Sequence, residues 1–101
     1  MNIIKQLNGS TLNIALEGRL DTTTSPQLEA ELRASLTDVK ELVFDLSALD
    51  YISSAGLRVL LSAQKVMNKQ GEMTISNVND VIMEIFEVTG FDEMLTIEND
   101  G

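Results

Sequence analysis

A chain of 101 residues has the size of one small domain, and its sixteen acidic against seven basic residues give a formal charge of −9. The absence of cysteine, histidine and tryptophan removes disulfides, thiolate or imidazole catalysis and the usual ligands of zinc and haem. Scattered bases speak against nucleic acid as a partner, and no apolar run exceeds three residues, so no spanning helix or signal peptide is expected.

The expectation is a cytoplasmic chain, complete as it stands, with no cofactor. A metal could be held only by clustered carboxylates, and the oxygen-ligand spacing of a calcium loop is missing. The acidic balance favours solubility and a basic patch on a protein partner.

In chain order, Asn2 to Leu7 and Thr11 to Glu17 read as two strands around the Asn8-Gly9-Ser10 turn signal, a hairpin ended by Gly18. Ser25 before Pro26 reads as a helix cap, and Leu28, Leu32 and Leu36 then mark a helix over about 26–36. Glu41 to Leu46 reads as a central strand buried on both faces. Ser54 to Gln70 is helical, with Leu57, Leu60, Leu61 and Met67 on its apolar face and Gly71 as a left-handed cap. Met73-Thr74-Ile75 is a short strand. Asn79 or Asp80 caps a third helix with Val81, Ile82, Ile85 and Phe86 inward, ended by Gly90. Leu95-Thr96-Ile97 is a last strand before a polar tail. The expected fold is α/β: one domain over 1–101, with a mixed central sheet of about five strands that starts with a hairpin and is covered by helices.

One segment stands out: Asp50-Tyr51-Ile52-Ser53-Ser54-Ala55-Gly56-Leu57-Arg58. It follows a predicted buried strand and opens the longest helix, where α/β domains place their sites. Its amides and dipole welcome an anion, its small residues allow close approach, and Arg58 stands one turn beyond Ser54. A phosphate on Ser54 could use both. The plainer reading is that serine caps the helix and Gly56 relieves its packing. No nucleotide-binding glycine loop is present.

Tyr51-Ile52-Ser53-Ser54-Ala55-Gly56-Leu57 resembles the signature of STAS domains, the bacterial anti-sigma factor antagonist group. That signature runs aromatic, apolar, Asp, Ser, Ser or Thr, Gly, Leu. Gly18-Arg19-Leu20-Asp21, Gly71-Glu72-Met73 and Phe86 to Phe91 are similar to further family motifs, in register along the whole chain. The resemblance implies a regulatory binding module and no enzyme. By that resemblance its unphosphorylated form would bind a serine kinase that is also an anti-sigma factor, and so free a sigma factor or another client. Phosphorylation blocks that binding, and a PP2C-type phosphatase restores it.

The phosphoacceptor position falls on Ser54. Partner contacts would fall on Asp21, Thr22, Ser53, Ala55, Gly56, Leu57 and Arg58. The chain departs from the signature at Ser53, where the family has aspartate, and at Ala55, where it has a second hydroxyl residue. Ser53 is therefore a second candidate phosphoacceptor. Asp21 also reads as a plain turn aspartate. Tyr51 reads as packing beneath the helix, or else as a partner contact. Met67, Met73 and Met83 read as core fillers.

Two rival readings start from the same residues. The same fold serves as a non-phosphorylated subunit of membrane transporters, where it contacts an ATPase. A phosphoaspartate receiver would need an acidic cluster after its first strand, and residues 2–9 hold no carboxylate.

Overall fold

The alternating runs around Asn8-Gly9 form an antiparallel pair, β1 (Asn2–Asn8) and β2 (Thr11–Leu20), with Asn8 opposite Thr11. Gly9 turns the chain at φ 62°, a left-handed conformation that favours glycine. The computed structural model describes residues 1–98. Gly18 does not end β2 as expected. At φ 100° it sits where the pairing of β2 with the next strand slips register, and β2 runs on to Leu20.

The helix α1 (Ser25–Ser35) buries Leu28 and Leu32, with Leu36 buried just beyond its end. Each such leucine contributes about 1.5–3 kcal/mol relative to exposure. Ser25 is inside the helix and buried, so the cap position belongs to Thr24 instead. The Ser25 hydroxyl donates back to the Asp21 carbonyl at 2.5 Å.

The strand β3 (Glu41–Ile52) is twelve residues long and reaches well past Leu46. Leu42, Phe44, Leu46, Leu49 and Ile52 are buried, whereas Val43 and Asp45 between them are only half-buried. The expected two-sided burial is therefore not found. Register sets Ile14, Phe44 and Ile75 side by side on the apolar face. The buried residues of strands and helices form one cluster, so the helices gather on that face. The other face, with Asn13, Ala15, Val43, Asp45, Thr74 and Ser76, is only half-buried.

The helix α2 (Ser54–Gln70) keeps its expected bounds. Leu57, Leu60 and Met67 are buried, but Leu61 is only half-buried; Val59 and Ala63, beside α1, are buried instead. Gly71 is no left-handed cap: its φ of 177° is extended. It is glycine for a different reason, since a Cβ there would stand 1.8 Å from the Lys40 carbonyl oxygen. That close approach lets the Glu72 amide donate to the same oxygen at 2.9 Å and start β4 (Glu72–Ser76) beside β3.

Asn79 caps α3 (Asp80–Thr89), and Gly90 ends it in the left-handed conformation. Ile82 and Phe86 are fully buried. Val81 is exposed, because four neighbouring apolar positions span more of the helix than the sheet can cover. A four-residue helix, α4 (Phe91–Met94), follows where none was expected, with Leu95 buried behind it. The last strand, β5 (Ile97–Glu98), starts later than expected, and the tail beyond it lies outside the described residues.

The sheet order is β1-β2-β3-β4-β5, antiparallel at the hairpin and parallel thereafter. The carboxyl ends of β2 and β3 therefore meet at one edge, with Leu20 beside Ile52. Among the described residues no helix is long and apolar enough to cross a membrane.

Candidate functional site

The candidate site is built at that edge. The Ser53 amide donates to the Leu20 carbonyl at 2.9 Å, which ties the start of α2 to the end of β2. Ser53 holds the cap position in extended conformation, and its Oγ accepts from the Gly56 amide at 3.5 Å, a long bond. Ser54 is the first helical residue and is exposed. Its hydroxyl has no hydrogen-bond partner among the described residues. The two serines thus differ in kind: one caps, the other is presented.

Gly56 explains why the tip sits so low. A Cβ there would lie 2.7 Å from Leu20 Cγ, 2.9 Å from Ile52 Cγ1 and 2.9 Å from the Leu20 carbonyl oxygen. Only glycine lets the first turn of α2 rest directly on the strand ends. Gly56 and Leu57 are buried beneath the tip, while Ser54, Ala55 and Arg58 form its accessible side. Arg58 is exposed and has no ion pair among the described residues.

The neighbouring wall is the turn from Asp21 to Thr24. Asp21 Oδ1 accepts from the amides of Thr23 at 3.0 Å and Thr24 at 3.1 Å. Thr24 Oγ1 donates to the Arg19 carbonyl at 2.8 Å and accepts from the Asp21 amide at 2.9 Å. These bonds, led by that of the Thr24 amide, hold the Asp21 carboxyl below the usual carboxylate range against a smaller opposing desolvation. Asp21 thus serves as the turn aspartate through Oδ1, while Oδ2 stands 3.7 Å from Arg19 Nε. Thr22 remains exposed and lines a groove of about 350 Å³ with Ala55 and Arg58.

Tyr51 is not packed beneath the helix. It is 37% exposed, and the Arg19 guanidinium stacks over its ring at 4.5 Å. Arg19 and Tyr51 are cross-strand partners on β2 and β3, a pairing visible only once those strands are known to be parallel and their slips counted. No local pattern singles out Arg19, although it stands within Gly18-Arg19-Leu20-Asp21. Met67 and Met73 are buried in the core as expected, and Met83 is half-buried. No cluster of metal-ligating side chains occurs among the described residues.

What the tip can do chemically is limited and specific. Among the described residues it offers an exposed hydroxyl, the amides of a helix start and a guanidinium without an ion pair one turn away.

Comparison with known proteins identifies the family and the fold. The STAS domain model matches residues 2–100. BtrV of Bordetella bronchiseptica, which carries the name of an anti-sigma factor antagonist, is 41% identical over 86 residues, covering 83% of this chain and 74% of BtrV. The anti-sigma-B factor antagonist of Listeria monocytogenes is 31% identical over 106 residues, covering 98% and 91% of the two chains. In structure, the chain resembles the anti-sigma factor antagonist SpoIIAA in its unphosphorylated form. The TM-score is 0.77 at 16% identity, over 99% of this chain and 90% of that one. SpoIIAA in its phosphorylated form gives the same TM-score. The chain belongs to the STAS domain family.

Proposed function

We propose that the protein is an anti-sigma factor antagonist switched by phosphorylation of Ser54. In the unphosphorylated state the tip of α2 docks on a serine kinase that is also an anti-sigma factor, in the cytoplasm, and displaces its client. The kinase phosphorylates Ser54 and loses its grip; a PP2C-type phosphatase resets the protein. The names of the sequence relatives support the antagonist role.

The observation that carries the choice of residue is the division of labour at the tip. Ser53 Oγ is committed to the Gly56 amide, whereas Ser54 is exposed and unpartnered among the described residues. A phosphate on Ser54 adds a charge of about −1.5 to −2 at the positive end of a helix, so the fold tolerates it. The same charge opposes docking through desolvation and repulsion.

The test is binding to the cognate kinase by titration calorimetry. Ser54→Ala should bind as wild type does and resist phosphorylation, and Ser54→Asp should lose binding with its fold unchanged. Undiminished binding by Ser54→Asp contradicts the switch. A wild-type protein that ignores every such kinase but binds a transporter ATPase would reassign the domain to the transporter role.

A further inference from the structure

The charges of this protein are segregated in a way its total hides. The 17 residues of α2 hold Arg58, Lys65 and Lys69 and no acid at all. The remaining 84 residues hold four bases against sixteen acids, a side-chain balance of −12. Three of those four bases, Lys5, Arg19 and Arg33, are already in ion pairs with Glu31, Asp21 and Glu29. The bases of α2 have none among the described residues.

Their spacing is equally specific. Ser54, Arg58, Ser62, Lys65 and Lys69 recur every three or four residues and are all exposed, so they form one stripe from the tip down the whole helix. Beside the stripe, between α1 and α2, runs an apolar groove of about 430 Å³ floored by Leu32, Leu36, Val59 and Ala63. Val66, 42% exposed, stands in its wall. This groove meets the smaller one at the tip through Glu29, Val59 and Ser62. Glu29, its acidic lining residue, is neutralised by Arg33.

We infer that the exposed face of α2 and the α1–α2 groove together dock an acidic, amphipathic segment of the protein partner, a reading that rests on the proposed antagonist role. Apolar side chains of that segment fill the groove over Val59 and Val66, and its carboxylates lie along Arg58, Lys65 and Lys69. The chain's acidic balance had suggested a basic patch on the partner; the docking face itself calls for the opposite sign. A membrane or nucleic acid fits less well, because three cations on a body of charge −9 cannot hold an extended anionic surface. The charged residues that line the groove, Glu29 and Arg33, are paired with each other, so the unpaired cations that a partner segment meets there are those of the stripe. The device also extends the switch: a phosphate on Ser54 would draw Arg58 to itself and remove the first cation from the stripe.

The experiment needs no kinase, so its failure is distinct from failure of the Ser54 switch. The isotope-labelled protein is titrated, by nuclear magnetic resonance, with a synthetic twenty-residue peptide. The peptide carries leucines at helical spacing, flanked by glutamates. Amide shifts are expected along Arg58, Ser62, Lys65, Val66 and Lys69 and on Leu36, weakening as salt rises. The double variant Lys65→Glu/Lys69→Glu should weaken binding about tenfold with an unchanged melting temperature. The same peptide with lysines in place of glutamates should give no shifts. Absent shifts at millimolar peptide, shifts on the open sheet face, equal affinity of the double variant, or tighter binding to phosphatidylglycerol vesicles than to the peptide would each overturn the inference.

Discussion

Two helices of this protein start in the same way and are finished differently. Both α2 and α3 follow a strand of the parallel sheet, and both have a polar residue in extended conformation at the cap. At α3 the start is saturated. Asn79 Oδ1 accepts from the Ile82 amide at 2.9 Å, its Nδ2 donates to the Leu49 carbonyl at 2.8 Å, and Asp80 adds a carboxylate in the first turn. At α2 the cap bond is 3.5 Å, the first turn holds no acid, and an unpartnered serine stands at its first position. The α3 start is built for stability. The α2 start leaves its positive end unneutralised, and the loss of the family's aspartate at Ser53 widens that contrast.

Substitutions at the two starts can break or sharpen this contrast. The largest effect is expected from Gly56→Ala, whose methyl collides with the Leu20 backbone and two packed side chains. It should cost about 1–3 kcal/mol in urea denaturation, as overpacking does, and lift the tip enough to weaken partner binding. Next comes Asn79→Ala, expected to cost about 1–2 kcal/mol because a cap and a tie to β3 are lost together. Ser53→Ala should cost less, about 0.5 kcal/mol, since its cap bond is long. Equal losses at Asn79 and Ser53 would erase the distinction between the two starts.

Similar in size but opposite in sign is Ser54→Asp. It should stabilise the fold by about 0.3–1 kcal/mol at low ionic strength, by placing a charge at the positive helix end, while abolishing kinase binding. Opposite signs on stability and binding are the mark of a switch residue, and thermal melting beside calorimetry reads both. The least expected effect concerns pH. Amides of Thr24 and Thr23 keep the Asp21 carboxyl below its ordinary value, so its contribution is present at neutral pH and is lost as pH falls through the folded value, below about pH 4. Asp21→Asn should flatten the acid limb of the stability curve, measured by circular dichroism.

Much of this was legible in the sequence because it depends on local pattern. The Asn8-Gly9 turn, the four-residue leucine repeat of α1 and the whole span of α2 follow from periodicity and turn chemistry. The failures share a cause. Local preference predicts a strand end at Gly18 and a cap at Gly71, but Gly18 serves a slip in pairing and Gly71 the close approach of Lys40. Both are set by chain distant in sequence. Burial of β3 on one face, the exposure of Val81 and the Arg19–Tyr51 stack likewise depend on which elements end up adjacent. At the site, the family signature located the tip. That Ser53 caps while Ser54 is presented is a matter of one residue of helix phase, which no pattern of small residues resolves.

The central claim is that the unneutralised start of α2 presents Ser54 for phosphorylation. It is tested most directly by incubating the protein with its cognate kinase and ATP and mapping the product by fragmentation mass spectrometry. The account predicts one phosphate, about 80 Da, on Ser54, and none on the Ser54→Ala variant. A phosphate on Ser53, or one that persists in Ser54→Ala, would contradict it.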